Sequence, residues 1–488
     1  MQEVTIDAKN RKIQLIFSKN LFIFEVDEYI RKGEKIMEKS VTKDMTTGSP
    51  FKLIVQFFVP LFLGMLFQQF YSMMDTIIVG KALGVHALAA VGATGSINFM
   101  IIGFCMGVCS GFAIPDAQRF GAGDYHSLRK YVANSVWLSV AFSVVMTLVV
   151  CLLCKNILLW MKTPEDIFSD AYIYIFIIFA GIPVIYLYNL LSGIIRSLGD
   201  SKSPLLFLVF SSLLNIALDL IFILVFSMGV TGAAFATVIA QAVSGILCLF
   251  YMKKKFTILN IERDEWRPER TYMSHLCNMG IPMGLQYSIT AIGSVILQTA
   301  VNTLGSVAVA SITAGSKVSM FFACPFDAMG GTMTTYAGQN VGAGKIDRVG
   351  AGVKACCIIG FVYSMIAFVV LFFFGEQISL LFVDGTEKEI LHNSWLFLVI
   401  NAAFYILLAL VNIVRFTIQG MGFSRFAILA GVCEMIARSI VGVWLVPVFG
   451  YMAACAASPV AWLFADFFLI PAFFAVSKKL KAAKQQRS

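Results

Sequence analysis

Charge is what this chain has least of. Only 13% of its 488 residues are Asp, Glu, Lys or Arg, while 59% are hydrophobic. An ordinary soluble domain carries about 25% charged residues, so a soluble globular fold is excluded. Strict alternation of apolar and polar residues is also missing, which excludes a transmembrane β-barrel. Zinc-ligand, helix-turn-helix and aromatic-basic patterns are absent, so the net charge of +9 does not imply a nucleic-acid partner. Histidine is scarce: His86, His126, His275 and His392 all fall near the ends of apolar runs, and none reads as a buried proton relay. The eleven cysteines are scattered through apolar runs, as with Cys105 and Cys109 or Cys151 and Cys154, and read as buried packing.

What is present is a series of twelve apolar spans, at 53–79, 87–114, 131–154, 168–193, 204–226, 232–252, 275–301, 307–334, 351–374, 392–414, 426–446 and 451–475. Each is close to the roughly 20 residues that a helix needs to cross about 30 Å of hydrocarbon. An even number leaves both termini on one side. Of the 37 Lys and Arg, only Lys81, Lys155, Lys162 and Lys388 fall in the opposite loops, with Lys317 and Arg438 inside spans. The positive-inside rule then makes both termini cytoplasmic, in a plasma (inner) membrane. Residues 1–47, rich in Lys, Glu and Asp, are too densely charged for a signal peptide and read as a cytoplasmic extension, with Met37 and Met45 as alternative starts. The expected order is this extension, a six-helix lobe over 48–252, a basic cytoplasmic linker over 253–273, a second six-helix lobe over 274–476, and a basic tail over 477–488.

The two lobes share a repeat. GVHALAAVGATGSI from Gly84 resembles GSVAVASITAGSKV from Gly305, and QRFGAGD from Gln118 resembles QNVGAGK from Gln339 at the same 221-residue offset. RSLGDSK from Arg196 can be laid on QGMGFSR from Gln419, which pairs Asn215 with Arg438. Six spans per repeat give a parallel repeat about an axis along the membrane normal, an arrangement that encloses a central cavity and supports alternating access. The expected fold is therefore all-α and integral to the membrane, with twelve transmembrane helices in two pseudo-symmetric bundles. The glycines of the two QxxGAG stretches read as tight-turn residues between spans. GAGD at Gly121 to Asp124 imitates an intramembrane aspartyl protease signature but has no YD partner motif, and GAGKI lacks phosphate-loop spacing. Neither an enzyme nor an ATP-driven pump is indicated.

Chemistry concentrates in the first lobe. Asn215 and Asp219 are four residues apart and share a helix face, and an ionisable residue within a span marks a functional site by default. Counting residues from the span ends places Asp75 and Thr237 in the same outer half of that lobe. Two carboxylates, an amide and a hydroxyl form an all-oxygen set suited to H+ or Na+, with no other metal or cofactor indicated. Gln68 and Tyr71 lie on the face of Asp75 and either touch cargo or pack in the core. In the second lobe Glu434 and Arg438 are four apart and read as a structural ion pair, while Lys317 either lines the cavity or pairs with Asp466.

The stretch QQFYSMMDTIIVG between Pro60 and Gly84, the repeated QxxGAG loops and the NIALD pair resemble the MATE (multidrug and toxic compound extrusion) family of antiporters, over about Phe51 to Leu480. The resemblance implies two six-helix bundles facing each other as a V, with organic cations leaving in exchange for Na+ or H+. Asp75, Asn215, Asp219 and Thr237 match the cation site of that family's N-lobe, and Asn189 falls where a cavity-lining amide is expected. The NorM-like branch carries acidic residues in its seventh and tenth spans. Here those neighbourhoods are Thr290 and Leu408, without a carboxylate, so the chain is more similar to the DinF-like branch. Expected partners are amphiphilic or cationic small molecules and the bilayer, with the protein a monomer. The alternative is a lipid-linked precursor flippase of related architecture, for which Lys317 and Arg438 would have to line the cavity.

Overall fold

The computed structural model describes residues 4–7, 12–17, 20–25, 43–161, 163–383 and 385–486, in two compact units, Met1–Lys43 and Asp44–Ser488. In the first unit, β1 (Val4–Asp7), β2 (Lys12–Phe17) and β3 (Asn20–Glu25) form an antiparallel sheet in the order β1-β2-β3. The rest of the expected extension before Lys43 lies outside the described residues. Its expected end at residue 47 is corrected, because Asp44 to Thr47 belong to the helical unit. Met45 is fully buried and its N–H donates to Gln339 Oε1 at 2.8 Å. Lys345 Nζ donates to the Thr46 carbonyl at 3.0 Å, and Arg348 Nη2 to that of Gly48 at 2.9 Å. Backbone groups with no helix of their own thus find partners in the second half of the chain.

The second unit is all helical, as expected. Its first half comprises α1 (Pro50–Leu83), α2 (Val85–Ala93), α3 (Gly95–Gly121), α4 (Tyr125–Trp160), α5 (Glu165–Ala180), α6 (Ile182–Ser197), α7 (Lys202–Leu220) and α8 (Gly229–Lys255). The second half comprises α9 (Arg270–Asn302), α10 (Ser306–Gly342), α11 (Ile346–Ser379), α12 (Lys388–Ala403), α13 (Tyr405–Gly420), α14 (Arg425–Ile440), the short α15 (Val446–Phe449) and α16 (Tyr451–Gln485). Among the described residues, ten segments are long and apolar enough to cross a membrane singly. The pairs α5 with α6 and α12 with α13, bent by 46° and 51°, supply two more when each counts as one crossing.

The repeat is visible in the irregularities as much as in the helices. Both bent pairs occupy the fourth crossing of their half. The first breaks at Gly181, where an added Cβ would lie 2.6 Å from Val238 Cγ2 and where Pro183 has no N–H to return to the helix. The second breaks at Phe404 without a proline. A π turn ends α7 at Ile221–Val225 and another ends α14 at Val441–Leu445. Proline interrupts α1 at Pro60 and α9 at Pro282.

The halves meet mainly where α3 runs antiparallel to α9. Gly107 and Gly111 on α3 face Gly284 and Gly280 on α9 so closely that a Cβ on Gly107 would lie 2.6 Å from the Met283 carbonyl, and one on Gly111 2.5 Å from Gly280 Cα. Small residues at four-residue spacing let two backbones touch in this way. At the face where Pro50 begins and Gln485 ends, here termed proximal, the two QxxGAG stretches cross reciprocally. A Cβ on Gly121 would collide with the Gln339 backbone carbonyl, and a Cβ on Gly342 with that of Gln118. Gln118 Nε2 donates to the Gly420 carbonyl at 3.0 Å and Gln339 Nε2 to that of Ser197 at 2.8 Å. The turn-glycine reading of this motif is therefore corrected in part. Gly123 and Gly344 make the turns, at φ +70° and +69°, whereas Gly121 and Gly342 permit the crossing.

The linker closes the same face. Glu265 is buried against α4, accepting from Arg129 Nε at 2.7 Å and lying 2.9 Å from His126 Nδ1. Burial pushes its carboxyl up, but hydrogen bonds from Arg129, the Glu262 backbone N–H and His126 outweigh that and hold it below the usual range. Toward the opposite, distal face the bonds between halves run out. Ser288 Oγ to the Met100 carbonyl, 3.4 Å, and the Phe70–Phe321 ring contact, 5.4 Å, are the outermost among the described residues.

Candidate functional site: a carboxylate pair above an inter-lobe cavity

α1, α7 and α8 bring the four expected ligands together. Asp219 and Asn215 are 0% and 1% exposed on one face of α7. The Asn215 amide satisfies both neighbours when its nitrogen donates to Asp219 Oδ2 at 3.3 Å and its oxygen accepts from the Thr237 backbone N–H at 3.3 Å. The Thr237 hydroxyl donates to the Ala233 carbonyl at 3.1 Å, which leaves its lone pairs toward the site. The carboxyl groups of Asp75 and Asp219 are close enough to act on one another directly. Oδ1 of each is buried without a hydrogen-bond partner. Two facing carboxylates in a low-dielectric interior cannot both stay ionised without a proton or cation between them.

Three further residues frame this pair, and sequence reasoning missed two of them, Tyr174 and Gln241. The phenols of Tyr71, expected either to touch cargo or to pack in the core, and of Tyr174 lie close enough to both carboxylates to feel their charge. Gln241, one turn after Thr237 on α8, shares with Tyr71, Asn215 and Thr237 a void of about 10 Å³, near the minimum that holds one water. The four-residue spacing from Thr237 was the signal for Gln241. Nothing local distinguishes Tyr174 from the other aromatics of its span.

Beside the pair lies a cavity of about 400 Å³ between the halves. Gln68, Tyr71, Asp75, Asn189 and Thr237 line it, as does Asp327 from α10. Asn189 Nδ2 is committed to the Ile185 carbonyl at 2.8 Å, so its oxygen is the part open to cargo. The lining follows α1 from Pro60 to Asp75, about 22 Å at 1.5 Å per residue. Lys317 is not among the lining residues. Its exposed ammonium lies 5.8 Å from the Phe382 ring centre, where it neither faces cargo nor meets Asp466, and both expectations for it are corrected.

The second half contains an ion cluster where the first has the carboxylate pair. Arg438 Nη2 lies 3.6 Å from Glu434 Oε2, as the i,i+4 spacing predicts, but the closer partner of Glu434 is Arg415. Arg415 escaped the sequence reading because the tenth span was ended one residue before it, whereas α13 continues to Gly420.

Two repeated helical bundles, an inter-lobe cavity and a buried oxygen site define a two-lobed membrane transporter rather than an enzyme. The chain belongs to the MATE family: the family model MatE matches residues 60–221 and 282–444, one copy on each half. It is 30% identical over 345 residues to the probable multidrug resistance protein YpnP of Bacillus subtilis, spanning 70% of this chain and 77% of that protein. It is 27% identical over 446 residues to YoeA, another probable multidrug resistance protein of B. subtilis, spanning 87% of this chain and 95% of that one. A solved structure described as the outward-facing conformation of a multidrug resistance MATE family transporter matches with a TM-score of 0.84 at 23% identity, over 91% of this chain and 100% of its own. At that identity the likeness speaks to the fold.

Proposed function

We propose that this chain is a secondary active multidrug exporter that moves cationic or amphiphilic molecules out of the cytoplasm in exchange for protons. The observation that carries this reading is the facing Asp75–Asp219 pair with its two unpartnered oxygens, at the distal end of a cavity long enough for an amphiphile. The proximal face is cytoplasmic in this reading, since it holds Lys253, Lys254 and Lys255 of the linker side and Lys478, Lys479, Lys481 and Lys484 of the tail. The structure with its proximal crossing closed is then the outward-facing state, in a plasma membrane. A proton arriving from outside neutralises the pair and lets α1 repack around the void beside Tyr71. Cargo is released outward, and the loaded lobe returns the proton to the cytoplasm. One chain supplies both cavity walls, so a monomer suffices. The flippase alternative loses the two basic residues expected to carry it, since neither Lys317 nor Arg438 lines the cavity, although Arg196 does.

Everted membrane vesicles test the coupling. An acid-inside pH gradient is expected to drive uptake of the fluorescent cation ethidium, and an inside-high Na+ gradient at matched pH is not. Uptake driven by Na+ alone would replace the proton by Na+ at the same four residues. Uptake driven by neither gradient would overturn antiport.

A further inference from the structure

The cavity also holds a cation of its own. Arg196 sits in the last turn of α6 and lines the cavity toward its proximal end, near Ser201. Asn189 and Gly193, on the same face of α6, line it too. Among the described residues no hydrogen bond or ion pair engages the guanidinium. Tyr188 and Tyr287, which line the cavity with it, are phenols and ordinarily neutral at pH 7. By contrast Arg415 and Arg438, the arginines buried in the second half, share Glu434. A guanidinium lining the cavity without a counter-charge is costly, and it favours a cargo that carries an anionic group over a purely cationic one.

An anionic group on the cargo removes that cost. The rigid donor fork of arginine matches a carboxylate or phosphate with two parallel hydrogen bonds. Tyr287, from α9, lines the cavity with Arg196 and Asp327, so the first half offers a positive group and the second half a negative one to the same cavity. We propose that Arg196 is an anion subsite, and that the cavity takes zwitterionic amphiphiles whose carboxylate or phosphate docks on Arg196 while their cationic end faces Asp327. This rests on the reading of the cavity as the substrate site and narrows its substrate class. It also gives each half one pole of the cargo, so that separation of the halves weakens both contacts together.

Two dyes with one chromophore test it. Rhodamine B is a zwitterion at neutral pH, and its ethyl ester keeps the cationic ring system without the carboxylate. Fluorescence polarisation with the full chain in lipid nanodiscs gives the ratio of their dissociation constants. The wild type is expected to favour rhodamine B by about tenfold or more, the scale of one charge-assisted hydrogen-bonded contact. Arg196→Gln is expected to bring the ratio to about one, and Arg196→Lys, which keeps the charge but loses the fork, to leave it in between. A wild-type preference for the ester, or a ratio unchanged in Arg196→Gln, would overturn the subsite. If Arg196→Gln binds neither dye, an unchanged ratio in Arg196→Lys overturns it equally. Failure of the wild type to bind either dye would overturn the cavity reading itself, and the subsite with it.

Discussion

Asp219→Asn is expected to fold, insert and yet lose gradient-driven export. The amide is nearly the same size as the carboxyl group and can still meet Asn215, so the packing of α7 against α8 is preserved. What disappears is the titrating group. With an amide opposite it, Asp75 no longer faces a like charge, and the proton that neutralises the pair has no reason to bind or leave in step with cargo. Uptake of ethidium by everted vesicles should fall by more than about tenfold, equivalent to at least ~1.4 kcal/mol of lost coupling. Asp75→Asn should do the same, and the double variant should be little worse than either, because groups that act as a unit do not contribute additively. Thermal denaturation of the purified variants within a few degrees of the wild type, together with abolished uptake, is the expected pattern. Full transport by either single variant would remove the pair from the mechanism.

A second large effect is expected far from any ion. Gly121→Ala and Gly342→Ala each place a methyl group against a backbone carbonyl of the opposite half, where no side chain can move aside. Overpacking of this kind costs about 1–3 kcal/mol and is relieved by backbone movement. Here the nearest relief is separation of the proximal crossing. The variants should therefore favour the state open to the proximal face and lose most export, with each bundle still folded. Gly123→Asn is the matched control two residues away. A Cβ there meets nothing within 4 Å, and only the φ of +70° constrains it, a conformation that asparagine tolerates better than most residues. A cysteine at Ser110, which lines the cavity, in a background without the native cysteines, reports the state. Its labelling from the proximal side should rise in Gly121→Ala and stay low in Gly123→Asn. Equal labelling and equal transport in all three would show that the crossing is not a gate.

Much of this organisation was legible in the chain because membrane solvent enforces strong rules. Span length, charge asymmetry and the 221-residue repeat were sufficient for twelve crossings in two related halves, and helical spacing with depth counting brought Asp75, Asn215, Asp219 and Thr237 together. The errors share a cause. Apolar runs end where hydropathy ends, but helices continue past them, so Arg196 and Arg415 were placed in loops when α6 and α13 carry them into the bundle. Lys317 failed in the opposite sense: a long flexible side chain can lay its stem along apolar surface and carry its charge away from the cavity. The dual use of glycine in QxxGAG was also illegible, since a turn glycine and a close-approach glycine look alike until the partner helix is present. Asp44 to Thr47 looked like part of a charged appendage because its partners, Gln339, Lys345 and Arg348, lie about 300 residues away.

The central claim is that cargo and a proton compete through the Asp75–Asp219 pair, and counting displaced ions tests it most directly. Purified protein in weakly buffered, Na+-free solution near neutral pH is titrated with ethidium while a pH electrode records proton release, with 22Na+ dialysis in parallel. Release of close to one proton per ethidium bound by the wild type, and none by Asp219→Asn, is the result this account predicts. Ethidium binding without proton release, whether or not Na+ leaves instead, or the same proton release from Asp219→Asn, would contradict it.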